Sequence, residues 1–129
     1  MTFRRLLLVF VGGSIGTAAR LAIGLLLPDV GGVPLATIVV NVLGSLLIGL
    51  LAARLPGATE LRLLLGTGVL GGFTTYSAFM TGTVALWGDA PVLAFAYAAA
   101  SLVLGLAAAA AGLRLGRPRR PTLPAGGRA

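Results

Sequence analysis

The chain contains no cysteine and no histidine. Disulfides, thiolate chemistry, histidine proton relays and the usual soft-metal ligand sets are therefore excluded at the outset. Acidic residues are nearly as scarce. Asp29, Glu60 and Asp89 are the only 3, and each is predicted to lie in a loop. No predicted helix carries a carboxylate at depth, so proton-coupled exchange lacks its usual carrier. Hydroxyls without an evident base are poor nucleophiles, and we expect no enzyme. What the chain has in excess is apolar surface: 57% of its 129 residues are hydrophobic and 10% are charged. The mean hydropathy is +1.03, outside the range of ordinary soluble domains.

The apolar residues fall into four blocks, 6–27, 35–55, 61–86 and 91–113. Each is close to the roughly 20 residues a helix needs to cross a bilayer. The connections Pro28 to Gly32, Pro56 to Glu60 and Trp87 to Ala90 are short and carry turn formers. The predicted fold class is an all-α membrane protein with four transmembrane helices in a domain spanning 1–115, followed by a disordered basic tail, 116–129. The opening "FRRLLLVFVGG" has the look of a secretory signal. The apolar run resumes after Arg20 as "LAIGLLLP", which makes a full span and favours an uncleaved first helix.

A net charge of +7 would suggest nucleic acid in a soluble protein, but its placement argues against that partner. Arg4 and Arg5 precede the first span, Arg54 and Arg62 flank the second connection, and Arg114, Arg117, Arg119, Arg120 and Arg128 follow the last span. With four spans these regions share one side, and the positive-inside rule places both termini in the cytoplasm. The Pro-, Gly- and Arg-rich tail is suited to resting on anionic membrane lipid.

Polar groups inside the spans are few and periodic. In the first block Gly12, Gly16, Arg20 and Gly24 recur every four residues, with Gly13 and Thr17 beside them, a face of close-packing notches carrying one guanidinium. Arg20 is the only charge away from the ends of a predicted span. It has two readings, an anchor that snorkels to the interface or a charge that draws anions into a vestibule. The second block places Thr37, Asn41 and Gly44-Ser45 on one face. Asn41 is either interhelical glue or a neutral double donor for a small desolvated anion. In the last block Tyr97, Ser101 and Gly105 repeat the spacing. The third block contains "GGFTTYSAF", Gly71 to Phe79, where two glycines and two threonines weaken a helix at its middle. Such a break is a kink filled by neighbours, or it releases carbonyls for a hard cation. Tyr76 and Phe79 follow on one face, and the positive edges of such rings suit an anion.

The stretches "GGSIGTAAR" (Gly12 to Arg20), "ATIVVNVLGSLLIG" (Ala36 to Gly49) and "GTGVLGGFTTYSAF" (Gly66 to Phe79) resemble, in order and spacing, the signature regions of the Fluc (CrcB) family of bacterial fluoride channels. The resemblance implies passive export of fluoride from the cytoplasm across the inner membrane, by an antiparallel dimer of four-helix subunits with two pores. It places Asn41 at the family's pore asparagine, with Thr37 one turn earlier. Tyr76 and Phe79 take the positions of the phenylalanine box, beside Ser77. Gly71 and Thr74 take the positions whose main-chain carbonyls hold a structural Na+. Arg20 corresponds to the vestibule arginine, and Tyr97 with Ser101 to the polar track of the last helix. The family pattern T-T-F-S-T-F reads Thr74-Thr75-Tyr76-Ser77-Ala78-Phe79 here, so one box phenylalanine has become a tyrosine and one threonine an alanine.

Apart from Arg20 every arginine lies on one predicted side, whereas a chain that inserts both ways normally balances its basic residues. We therefore expect one orientation and pairing with an oppositely oriented paralogue, although the resemblance equally implies a dimer of the chain with itself. Two rival readings are a small multidrug-type exporter, which needs a membrane-embedded carboxylate that this chain lacks, and a non-conducting membrane assembly subunit.

Overall fold

The computed structural model describes residues 2–55, 57 and 59–118. The basic stretch 119–129, including Arg119, Arg120 and Arg128, lies outside the described residues. Four helical segments are long and apolar enough to cross a membrane: Phe3–Leu26, Leu35–Arg54, Glu60–Asp89 and Pro91–Gly116. We label α1 (Phe3–Leu26), α2 (Leu35–Arg54), α3 (Glu60–Arg62), α4 (Gly71–Phe73), α5 (Tyr76–Asp89) and α6 (Pro91–Gly116); a π-helical stretch, Leu63–Leu70, joins α3 to α4. Glu60 and Asp89 therefore begin and end the third span rather than sitting in loops. Both stay at its ends, and no carboxylate enters the interior of a span.

The turn between α1 and α2 uses the two adjacent glycines as the sequence suggested. Gly31 and Gly32 have φ of 59° and 81°, a left-handed pair that side chains with a Cβ rarely adopt. Val30 and Val33 close it with N–H···O bonds of 3.1 and 3.0 Å. The last helix begins with Pro91 in its first turn, where the missing N–H costs nothing. It runs on to Gly116, three residues beyond the expected Leu113. Two contacts with α2 carry it there: Gly116 packs against the Leu50 backbone, and Arg54 Nε donates to Gly116 O at 3.2 Å.

Packing divides the bundle into two tight pairs, α1 against the π-helical stretch and α4, and α2 against α6, with α5 lying on α6. In lipid the hydrophobic effect does not drive helices together, so close backbone approach and dispersion carry the association. Small residues make the approach possible. A Cβ on Gly16 would overlap Val69 O, one on Gly12 would meet Gly68 Cα at 2.9 Å, and one on Gly112 would overlap Leu46 O. Large apolar side chains such as Phe10, Leu25, Val92 and Phe95 are exposed on the outer surface, as expected for faces whose solvent is acyl chain.

The third span is interrupted at its centre, and the interruption falls two residues later than the glycine pair. Gly71 is helical, with φ −63° and ψ −38°. The break is at Thr74 (φ −76°, ψ 157°) and Thr75 (φ −145°, ψ 115°), after which α5 begins. β-Branched threonines accept extended backbone readily. Thr74 Oγ1 adds a bond to Leu70 O at 3.0 Å beside the helical one from Thr74 N, while Thr75 Oγ1 accepts from Ala78 N at 3.1 Å as the N-cap of α5.

Gly16→Val and Gly112→Val are each expected to destabilise the bundle by about 1–3 kcal/mol through overpacking, read as a lower melting temperature in detergent. Gly24→Ala, where nothing lies within 4 Å, should melt like the parent. Parent-like melting of both valine variants would contradict this packing.

Candidate anion pathway

In a membrane every buried backbone N–H and C=O needs a partner, because no water is at hand to supply one. The break at Thr74–Thr75 frees several at once, and their new partners define the site. Thr75 N–H, which in a continuous helix would bond Gly71 O, donates instead to Asn41 Oδ1 at 2.8 Å. Asn41 Nδ2 donates to Thr75 O at 2.9 Å. A single amide side chain on α2 thus satisfies both backbone groups of Thr75, as a neighbouring strand would. One of the two Nδ2 hydrogens is committed to that bond and the other is left over, so Asn41 combines the two roles its sequence context allowed.

The same rearrangement releases Gly71 O and Thr74 O from their helical donors, Thr75 N and Ala78 N, which have gone to Asn41 and to the Thr75 hydroxyl. Both Gly71 and Thr74 line an open groove of about 570 Å³. Neutral main-chain oxygens are donors of the hard type that suits Na+. A Cβ on Gly44 would overlap the Thr74 methyl, so α2 presses the break against the groove.

Asn41, Tyr76, Phe79 and Ser101 meet in that groove. Tyr76 is 76% exposed. Its ring lies 6.1 Å from that of Phe79, tilted by 44°, and the Phe79 ring lies 5.7 Å from Tyr97. These three rings form a continuous run from the open groove to the buried interior. Tyr97 is 3% exposed, and its hydroxyl is buried with no hydrogen-bond partner among the described residues, a costly state without a ligand or water. Ser101 Oγ donates to Tyr97 O at 2.7 Å, which leaves its lone pairs, not its proton, toward the groove.

The remaining expected positions lie elsewhere. Thr37 is buried one turn before Asn41 but does not line the groove. Ser77 is exposed at the start of α5, its Oγ 3.3 Å from Thr75 Oγ1. Arg20 stands on the opposite side, half-buried, with Nε donating to Gly72 O at 3.3 Å. Sequence reasoning missed Thr75, whose signal was a hydroxyl three residues before Ala78 at a helix start. It also missed the carbonyl of Gly72, which has no side chain to announce it.

Asn41→Ala leaves both backbone groups of Thr75 unpaired, at a cost of at least about 2 kcal/mol. The expected result is a clear drop in melting temperature, larger than that of Ser45→Ala, a hydroxyl lining the same groove. Equal melting of the two variants would contradict the bracing role of Asn41.

Comparison with known proteins identifies the family. Residues 7–113 match the family model described as CrcB-like protein, Camphor Resistance (CrcB). A protein of Leifsonia xyli subsp. xyli named fluoride-specific ion channel FluC 2 is 46% identical over 121 residues, covering 88% of this chain and 83% of its own length. The fluoride-specific ion channel FluC of Paracoccus denitrificans is 46% identical over 113 residues, covering 84% of this chain and 91% of its own. That of Agrobacterium fabrum is 48% identical over 118 residues, covering 85% and 94%. The match runs through all four spans and includes the interrupted one, and on that extent of similarity the chain belongs to the CrcB-like family.

Proposed function

We propose that this multi-pass membrane protein is a passive fluoride channel. The observation that carries the reading is the groove itself, where neutral donors and aromatic rings converge on an interrupted helix with no carboxylate nearby. Fluoride is small and strongly hydrated, so a pore must replace its water along a narrow path without holding the ion too firmly to release it. The free Nδ2 hydrogen of Asn41 and the edges of Tyr76 and Phe79 meet that requirement. The Tyr97 hydroxyl continues the series at the buried end, with Thr37, Ser77 and Ser101 as nearby hydroxyl groups. A multidrug-type exporter would need a carboxylate within a span, whereas Glu60 and Asp89 stand at the ends of the third span and Asp29 follows the first.

The exposed Tyr76 and the open groove favour a dimer in which a second subunit closes the path, and the half-set of carbonyls from Gly71 and Thr74 favours a shared Na+ at its centre. A cation there would supply a fixed positive potential beside an anion path. The chain's own part is to hold the two oxygens in place through Asn41 and Thr75.

Orientation follows from charge. Arg4, Arg5, Arg54, Arg62, Arg114 and Arg117 cluster at one end of the bundle, while Asp29 and Asp89 lie at the other. This bias favours both termini on the cytoplasmic side, with the chain in a bacterial inner membrane. The same asymmetry favours an oppositely oriented paralogue as the partner.

Proteoliposomes containing the purified chain should lose fluoride rapidly and chloride little, as followed with ion-selective electrodes, and Phe79→Ile should slow the loss severalfold. No fluoride loss by the chain alone, with restored loss on adding a paralogue, would establish an obligate pair. No loss under either condition would sink the channel reading. Labelling of Ala90→Cys but not Arg117→Cys from outside intact cells is expected, and equal labelling of both would contradict a single orientation.

A further inference from the structure

We infer that Arg20, together with Thr17, is a positioning residue that keeps the third span interrupted by occupying the carbonyl of Gly72. The inference rests on the fluoride-channel reading and assigns Arg20 a part in it other than attracting anions. In a continuous helix Gly72 O would accept from Tyr76 N–H, and recovering that bond would favour closing the break. Here Gly72 O faces α1 and is met by Arg20 Nε at 3.3 Å and Thr17 Oγ1 at 3.4 Å. The two donors lie three residues apart on α1, one turn of the same face. A carbonyl already holding a guanidinium and a hydroxyl gains little from a third donor, so the extended conformation at Thr74 and Thr75 is not drawn back into helix.

The approach that permits this is as close as backbone allows. A Cβ on Gly72 would overlap Gly13 O and meet Gly13 Cα at 3.0 Å, so α4 lies directly on α1 and the Arg20 side chain can reach across. On the other flank Asn41 of α2 holds Thr75. The interruption is gripped from two helices at Gly72 and Thr75, and Gly71 and Thr74, beside and between the grips, line the groove. Arg20 does not line that groove. Its guanidinium is half-buried in the last third of α1, where a carbonyl of the protein takes the place of water at Nε.

The two roles separate kinetically. An anion-attracting charge raises local fluoride, so its loss raises the fluoride concentration giving half-maximal flux and leaves maximal flux alone. A brace shapes the path, so its loss lowers maximal flux. Arg20→Lys retains the charge but not the planar fork, and Thr17→Val changes no charge at all. We expect each to lower maximal flux in proteoliposomes about fivefold with half-saturation unchanged, and the double variant to lose less than the product of the two because both act on one carbonyl. Amide hydrogen exchange in nanodiscs should quicken at residues 71–76 in both variants and stay at the parent rate elsewhere in α1 and α6. Parent-like maximal flux and exchange in Thr17→Val, the milder change, overturns the inference. If the parent chain itself releases no fluoride, the channel reading fails instead, and the exchange experiment still decides whether Arg20 and Thr17 hold the break.

Discussion

The structure depends on one requirement: a backbone interrupted at membrane depth must find a partner for each polar group that the helix no longer pairs. Each unsatisfied group there costs several kcal/mol, so two extended residues in the third span would be prohibitive without a dedicated set of side chains. Asn41 supplies a donor and an acceptor to Thr75, the Thr75 hydroxyl caps α5, Thr74 bonds back to Leu70 O, and Arg20 with Thr17 takes Gly72 O. These side chains come from α1, α2 and the break itself. The glycine contacts exist to bring those helices close enough, which is why Gly12, Gly16 and Gly44 all face the π-helical stretch or the break.

The functional consequences follow from which oxygens are not satisfied internally. Gly71 and Thr74, whose carbonyls have lost their helical donors, line the open groove together with Asn41. One structural defect therefore yields both a pair of hard oxygen donors and a neutral hydrogen donor within the same few residues. The rings of Tyr76, Phe79 and Tyr97 continue from that point into the bundle at centroid spacings of 6.1 and 5.7 Å, and the run ends at a buried, unpartnered hydroxyl. Such an arrangement handles an anion without a fixed positive charge on its path, which favours passage over tight binding. Tyr76 in place of a phenylalanine adds a hydroxyl at the exposed end of this run, so both ends of the aromatic series carry one.

Much of this was legible in the sequence because membrane helices obey few rules. Span number and the sidedness of the arginines came from hydropathy and charge alone, and the family resemblance rested on three stretches that the structure brings together around the break. The interruption was legible as a stretch of two glycines and two threonines, but not which of them opens. Gly71 and Gly72 stay helical, with Gly72 packed on Gly13 of α1, and the chain opens at Thr74–Thr75, where an amide from a distant helix competes for the backbone. Arg20 was ambiguous for a related reason. Its use depends on the carbonyl of a glycine 52 residues away, and a carbonyl oxygen leaves no mark on composition or spacing. The eight-residue π-helical stretch before the break was equally invisible, since i to i+5 bonding follows from packing more than from residue type.

The central claim is that Thr74 and Thr75 are extended in the membrane and that Asn41 holds them so. Solid-state NMR of protein labelled at threonine, asparagine, phenylalanine and tyrosine in lipid bilayers tests it most directly, through the carbon chemical shifts of residues 73–76 and the contact between Asn41 Nδ2 and the carbonyl carbon of Thr75. The account predicts strand-like shifts at both threonines, helical shifts at Phe73 and Tyr76, and a cross-peak joining the amide to that carbonyl. Helical shifts at Thr74 and Thr75 with no cross-peak would contradict it.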